Sequence, residues 1–375
     1  MKKKLFAVLL SSLLLCTAMA GCTNTEETSS STASDETPTY TWDELTQDDS
    51  QEASDSASEE VVVDPENMYR SELTNEWIDK SLKDQRPVAI MVDNEKTALD
   101  HYGLTQADIV YEIMNSTANG EITRFMAIVK DWENITRFGS IRSTRPTNFM
   151  LAPEYNAILI HDGGPFYIDD YLKNPWVDNL SGGFARIDNG KSREFTEYVT
   201  TGEIAKRIEA ANYDREYNSY YKGEHFKFAD DSAPTNLQSK SDAQACSLVD
   251  LPFPHNGSEL EYDKESGTYL YYEYGKAHVD PENDNKQLAF TNVILQSAKC
   301  EQFDENGYMM FNLLNQSGKG YYITGGHAIP ITWKKGMDTE PTRYYDADGN
   351  EIELNTGKTY IGFVSTKRWG ELVLK

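Results

Sequence analysis

Arg142 and Arg145 enclose Ser143 and Thr144, and Pro146 follows them directly. A hydroxyl residue just ahead of proline marks a helix start, because its oxygen accepts a free backbone N–H and proline has none to lose. Two guanidinium groups beside such an end make an anion site, since their forked donors match carboxylate and phosphate oxygens. A helix-length segment later, the apolar run Ala157 to Ile160 delivers His161 and Asp162 into a Gly163-Gly164 turn. A short apolar run bounded by glycines reads as a buried strand whose end exposes those two side chains. Asp93, Glu112 and Arg124 stand at or near the ends of further apolar runs. Gathered in one cleft, Asp93, Glu112, Arg124, Arg142, Ser143, Arg145, His161 and Asp162 admit three chemistries. The arginines can clamp a carboxylate or phosphate. Alternatively, His161 can act as a general base oriented by a carboxylate, with the arginines stabilising developing negative charge. The third reading is structural, with buried ion pairs fixing loops.

Other chemistries are poorly served. His278-Val279-Asp280 has strand alternation that puts two potential ligands on one face, but His327 is the one further candidate, and six histidines without an HExxH pattern predict no metal site. Gly182-Gly183 and Gly325-Gly326 lack the spacing of a nucleotide loop, and no Gly-x-Ser-x-Gly elbow occurs. No cofactor is expected. Cys246 and Cys300 sit in no nucleophile or zinc pattern, and are either two buried thiols or a disulfide.

The elements that must position the first group follow from periodicity. Pro87 to Val92, Ala107 to Met114 and Ile122 to Val129 are strand-like, and the last two pair as a hairpin around Asn119-Gly120. With Ala157 to Ile160 they predict a sheet of at least four strands, covered on one side by a helix from about Arg145 to Tyr155. Thr200 and Glu203 have capping-box spacing ahead of a second helix, with Ile204, Ala205, Ile208 and Ala211 on one face. A locally basic loop with Arg186, Lys191 and Arg193 precedes it. After about His225 the chain becomes a series of short aromatic or β-branched runs separated by glycine-rich turns, including Asp348-Gly349. The alternating tyrosines of Tyr269 to Tyr274 fill a sheet surface or present a binding face. The expected fold class is α+β: a mixed-sheet N-terminal domain, then a β-rich C-terminal domain of sandwich or barrel-like form.

Charge and hydropathy place the chain outside the cytoplasm. Lys2 to Lys4, the apolar run Leu5 to Leu15 and Met19-Ala20-Gly21-Cys22 make a lipoprotein signal in which Cys22 takes the lipid. Residues 23–64 carry 13 acidic and no basic residues, half of the net charge of −26, and read as a disordered tether. An acidic folded part argues against nucleic acid as a partner.

The motifs RPVAIMVDN (Arg86 to Asn94), ADIVYE (Ala107 to Glu112), ITRFMAI (Ile122 to Ile128), SIRSTRP (Ser140 to Pro146) and AILIHDGG resemble the YerB family of bacterial lipoproteins. HVD (His278 to Asp280), TNVIL (Thr291 to Leu295), ITWKK and GKTYIGFV extend the resemblance, in the same order, over roughly residues 70 to 370. It implies a lipoprotein with N-terminal and C-terminal YerB-type domains and leaves the biochemical activity open. The expected organisation is a signal and lipidation site at 1–22, a tether at 23–64, an α+β domain at 65–220 and a β-rich domain at 221–375. The expected protein sits on the extracytoplasmic face of the cell membrane, held by lipid on Cys22. It is read as a non-enzymatic module for an anionic envelope ligand, such as a cell-wall component, or for a protein partner; the alternative is an envelope hydrolase or transferase using His161 and Arg142/Arg145. A solute-binding transport receptor fits less well, because the two halves are unlike.

Overall fold

Three runs of buried residues form the centre of the molecule: Val88–Asp93 (β1), Ile109–Met114 (β2) and Thr123–Val129 (β3). The computed structural model describes residues 65–375, so the signal, Cys22 and the acidic tether lie outside the described residues. β-Branched and aromatic side chains alternate to both faces of these strands, the pattern of a sheet covered on both sides. β2 and β3 pair as the predicted antiparallel hairpin, with Ile109 opposite Ile128 and Met114 opposite Thr123. The turn at Asn119-Gly120 is a short helical turn, Ala118–Glu121. β1 lies on the other side of β3 and runs parallel to Ile158–His161 (β4), which in turn pairs with Asn179–Ser181 (β5). The four predicted strands therefore stand in the order β2-β3-β1-β4.

The sheet continues past β2 into the second half of the chain. That half supplies Gln244–Ala245 (β6), Leu248–Asp250 (β7), Glu259–Asp263 (β8), Thr268–Glu273 (β9), Lys276–Ala277 (β10), Ala289–Phe290 (β11) and Asn292–Ala298 (β12). It ends with Gln316–Thr324 (β13), His327–Lys335 (β14), Arg343–Tyr345 (β15), Thr359–Ser365 (β16) and Val373–Leu374 (β17). β16 runs parallel to β2, from Thr359 opposite Ile109 to Phe363 opposite Ile113. The result is one 11-stranded sheet in the order β6-β14-β13-β12-β16-β2-β3-β1-β4-β5, with β15 beside β14. Six further strands make a second sheet, β10-β9-β8-β7-β17 with β11 beside β9, and the other strands form small sheets of two or three. The regions on either side of residue 220 thus meet inside a sheet rather than across a linker, and Val62–Lys375 is one compact unit.

Two apolar clusters lie on opposite faces of the large sheet. Val88, Ile90, Val110, Phe125 and Ala127 pack with Leu260, Tyr269 and Tyr271 of the smaller sheet. On the other face Ala89, Met91, Ile109, Tyr111 and Met126 pack with Phe149, Met150 and Leu151. The latter three belong to helix α1, Pro146–Leu151, which continues as a 3-10 turn over Ala152–Tyr155 and so fills the predicted helical span. The second helix, α2, is Glu203–Ala211; Gly202, not Thr200, is its N-cap, while the Glu203 carboxylate accepts from Thr200 N at 3.2 Å. Tyr269 and Tyr271 of the tyrosine run point inward and are fully buried, so this face of the run is core. Cys246 and Cys300 are both free and buried, and burial pushes each thiol up to about 12. Among the described residues no helix is long and apolar enough to cross a membrane.

Candidate functional site

Strand parity divides the predicted constellation. Asp93 on β1 is paired across the sheet with Arg124 on β3, whereas Glu112 on β2 is paired with Phe125 and lies on the other face. The structure therefore does not bring Glu112 to the arginines. Glu112 is buried among hydroxyls: it accepts from Thr123 Oγ1 at 2.8 Å, Ser258 Oγ at 2.8 Å, Tyr271 OH at 2.9 Å and Tyr360 OH at 2.6 Å. Burial raises its carboxyl to about 7 despite these donors, with Glu273 adding repulsion.

The arginines do come together. Arg142 Nε lies 2.5 Å from Asp93 Oδ2, and its outer nitrogen is 3.0 Å from Glu194, supplied by the locally basic loop. Arg124 donates to the carbonyl of Ser143 at 2.7 Å and to Asn115 Oδ1 at 3.1 Å. Arg145 is 6 % exposed, stacks over Tyr308 at 4.0 Å and donates to the carbonyl of Thr144, with no carboxylate in ion-pair contact among the described residues. The inner Nε atoms of Arg124 and Arg145 are buried without a hydrogen-bond partner. Burial pulls the Arg124 guanidinium down to about 9; Asp93 opposes this, and Arg145 and Arg142 reinforce it. Burial likewise lowers Arg145, with repulsion from Arg142 and a partial offset from Tyr308 and Tyr167.

The helix end contributes less than its sequence suggests. α1 has six residues, its N-cap is Arg145, and the amide of Asn148 reaches back to accept the Arg145 N–H at 2.9 Å. Ser143 does not cap it; its carbonyl serves Arg124.

His161 ends β4 and is buried, with Nδ1 2.8 Å from the Gly163 carbonyl and Nε2 3.2 Å from Asn179 Oδ1. The Gly163 carbonyl can only accept, so Nδ1 donates to it and fixes the ring on its loop, while Nε2 faces the side-chain amide of Asn179 on β5. Burial pulls the imidazole down, and Asp162 acts on it through space. Asp162 itself faces Arg186 at 3.3 Å, and Arg186 is shared with buried Glu197. Among the described residues no carboxylate is hydrogen-bonded to His161 to orient it as a base.

The metal candidates named with His278 also separate. Asp280 accepts from Gly103 N at 2.9 Å, Thr105 N at 3.0 Å and Thr105 Oγ1 at 2.7 Å, and His327 Nδ1 lies 3.1 Å from the carbonyl of its own turn, at Gly325. Strand alternation predicted one shared face; the 3-10 turn Pro281–Asn283, which Asp280 also caps, turns that carboxylate away.

Tyr167 acts on Arg145 through space and carries two further aromatics, none of them marked in the sequence. Tyr167 and Phe303 have ring centroids 4.0 Å apart, Phe166 is 84 % exposed and Phe303 45 %, and the Tyr167 hydroxyl is buried without a partner. No periodic signal marks them, because they lie in turns distant in sequence. Five surface cavities of 240 to 500 Å³ open elsewhere, and none is lined by Arg124, Arg142, Arg145 or His161.

Residues 73–214 match the family described as Protein of unknown function (DUF3048) N-terminal domain, and residues 249–361 match its C-terminal domain. A Bacillus subtilis (strain 168) protein named "Putative lipoprotein YerB" is 25% identical over 326 residues, 84% of this chain and 89% of the relative. A crystal structure of YerB protein from Bacillus subtilis matches with a TM-score of 0.65 at 24% identity, over 79% of this chain and 96% of that one. At that identity the likeness speaks for the fold.

Proposed function

We propose, for a chain that belongs to the DUF3048 family, a cell-envelope lipoprotein held outside the membrane by Cys22 that binds an anionic ligand at Arg145, Arg124 and Arg142. The observation that carries this reading is the state of Arg145. A guanidinium removed from water without a carboxylate in ion-pair contact is expensive; Arg142 and Arg124 repel it, and Asp304 offsets this only through space. A carboxylate or phosphate arriving there gains a charge-assisted hydrogen bond and relieves that repulsion. The lipoprotein part of the reading rests on the Cys22 signal and on the name of the Bacillus relative.

The ligand class follows from what borders the arginines. Phe166 and Phe303 are exposed and both pack on Tyr167, which acts on Arg145, a combination suited to an acidic sugar with its ring on the two exposed aromatics and its carboxylate on Arg145. A binding role is favoured over hydrolysis because His161 is buried, its Nδ1 is tied to the Gly163 carbonyl, and its Nε2 faces the Asn179 amide with no carboxylate in contact among the described residues.

The test is thermal stability of the full chain with muropeptides, sugar phosphates and simple anions, for wild type and Arg145→Ala. A ligand at about 100 times its dissociation constant adds about 2.7 kcal/mol to the stability of a protein that binds it only when folded. Wild type is expected to be stabilised by at least one acidic sugar. Arg145→Ala should lose that response while keeping or raising its own melting temperature, because a strained cation has been removed. A variant that melts far below wild type, with no anion acting on either protein, overturns the reading and makes Arg145 structural.

A further inference from the structure

On the opposite face of the large sheet from the arginines, three ligand-type side chains converge in the interior. His101 lies in the loop after β1, Glu273 is the last residue of β9, and His278 follows β10. They are 0 %, 2 % and 4 % exposed. One potential ligand atom from each lies within 4.8 Å of the others. We propose that His101, Glu273 and His278 bind one divalent transition-metal ion of the zinc class through two imidazole nitrogens and a carboxylate oxygen.

The fold builds this juxtaposition deliberately. β9 and β10 are joined by the two-residue turn Tyr274-Gly275, with φ of 51° and 69°, the conformation that closes a tight hairpin. Tyr274 is not a glycine, and its hydroxyl is held by the Asn94 carbonyl at 2.7 Å, which ties the turn to the end of β1. Across the hairpin His278 N donates to Tyr271 O at 3.1 Å, so His278 stands opposite Tyr271, and Glu273, two residues on, shares its face. The His101 loop is drawn to the same place by Asp280, whose carboxylate holds the backbone N–H groups of Gly103 and Thr105.

Polar atoms of all three side chains are left over in this interior position. Both nitrogens of His101, both nitrogens of His278 and both oxygens of Glu273 are buried without a hydrogen bond among the described residues. His278 Nδ1 approaches Glu273 Oε1 to 3.0 Å, yet neither makes a hydrogen bond there. A single buried polar atom without a partner costs about 1–3 kcal/mol; even with His278 Nδ1 set against Glu273 Oε1 and one His101 nitrogen near the Asp93 carbonyl, His278 Nε2, Glu273 Oε2 and the second His101 nitrogen are left over at one point. A divalent cation takes one electron pair from each side chain and neutralises the buried carboxylate. Two histidines and one carboxylate are a ligand set for zinc and for iron.

The walls suit an ion with one side open. Phe125 and Tyr271 stand within 5.7 to 6.1 Å, centroid to centroid, of the His278 ring and exclude water from one side. Glu273 and His278 also line a cavity of about 240 Å³ together with Lys96, Asp100 and Lys276, which gives an ion a path to two of its three ligands.

The full chain, stripped with a chelator, is titrated with Zn²⁺ by calorimetry and with Co²⁺ by visible absorption. One equivalent should bind. The cobalt form should show d–d bands without thiolate charge transfer, and proton NMR of it should show two shifted, exchangeable imidazole N–H signals. His101→Asn, His278→Asn and Glu273→Gln, each checked by circular dichroism for native folding, should weaken binding by about 100-fold or more, above the loss typical of removing an outer partner. The wild-type spectra stand even if a variant misfolds. Absence of one-equivalent binding, thiolate bands, a cobalt form without imidazole signals, or folded variants with wild-type affinity each overturn the proposal.

Discussion

At the residue scale, Glu112 carries a measurable consequence of being placed among hydroxyls without a cation. Its carboxyl titrates near 7 in the folded chain against an ordinary 4.5. Between those values the folded protein holds a proton that the unfolded chain has released. Its contribution is therefore full below about 4.5 and is lost as pH rises through about 7, with an upper size of about 3 kcal/mol. Glu112→Gln keeps a neutral, hydrogen-bonding side chain at every pH. Melting temperatures from about pH 5 to pH 8 should fall for wild type and fall less for the variant; parallel curves would show that Glu112 is ionised throughout. Glu112 also shows why the constellation was only partly legible. The apolar runs around Asp93, Glu112 and Arg124 were plain, but the face each residue takes depends on register across a hairpin, and a one-residue change of register moves a side chain to the other side. His101 and Glu273 carried a weaker signal. Glu273 is the charged member of an inward-pointing series with Tyr269 and Tyr271, a mark of function that was readable, whereas His101 lies in a polar loop where no pattern points to a partner so distant in sequence.

At the scale of elements, strands were more legible than their partners. Continuous buried runs such as Val88–Asp93 and Asn292–Ala298 announce themselves by β-branched content. What they pair with is decided by tertiary contacts, and the pairing of β2 with β16 joins segments at opposite ends of the folded region. β13 illustrates a local device that sequence alone leaves as a pair of glycines in a strand. Gly318 stands opposite Trp333 on β14, and the indole lies across it to donate to the Ser297 carbonyl of β12 at 2.9 Å. A Cβ at Gly318 would sit 2.7 Å from both that carbonyl and Trp333 Nε1. Gly318→Ala must therefore displace a buried indole and break its hydrogen bond, at a cost of about 1–3 kcal/mol. Urea unfolding should show the lower midpoint, and the near-ultraviolet circular dichroism of the native variant should change in the tryptophan region. An unchanged midpoint would mean that the strands separate to admit the methyl group at little cost.

At the scale of the whole molecule, the two family domains depend on each other for their interiors. β2 has β3 on one side and β16 on the other, so a chain ending near residue 220 leaves the β2 edge unpaired and uncovers Tyr111 and Ile113, which pack with Phe363 and Phe311. A second tie crosses the same division. Glu154, fully buried, meets Lys335 at 2.7 Å and His225 at 2.6 Å and accepts from Thr342 N at 2.8 Å. Burial pushes the Glu154 carboxyl up, but Lys335 and His225 outweigh it and hold it down at about 2. Removing one partner of such a buried pair typically costs about 3–5 kcal/mol, and truncation removes Lys335, His225 and Thr342 at once while exposing a long sheet edge open to other chains. Intact protein should therefore unfold in one calorimetric transition, with calorimetric and van't Hoff enthalpies in agreement. Residues 65–220 and 221–375, produced separately, should lack dispersed amide spectra and aggregate. Mixed during refolding, they should recover the spectrum of the intact chain. If residues 65–220 alone give a dispersed, monomeric spectrum, the shared sheet is a docking of two self-sufficient folds, and the β2–β16 pairing is an interface rather than a core.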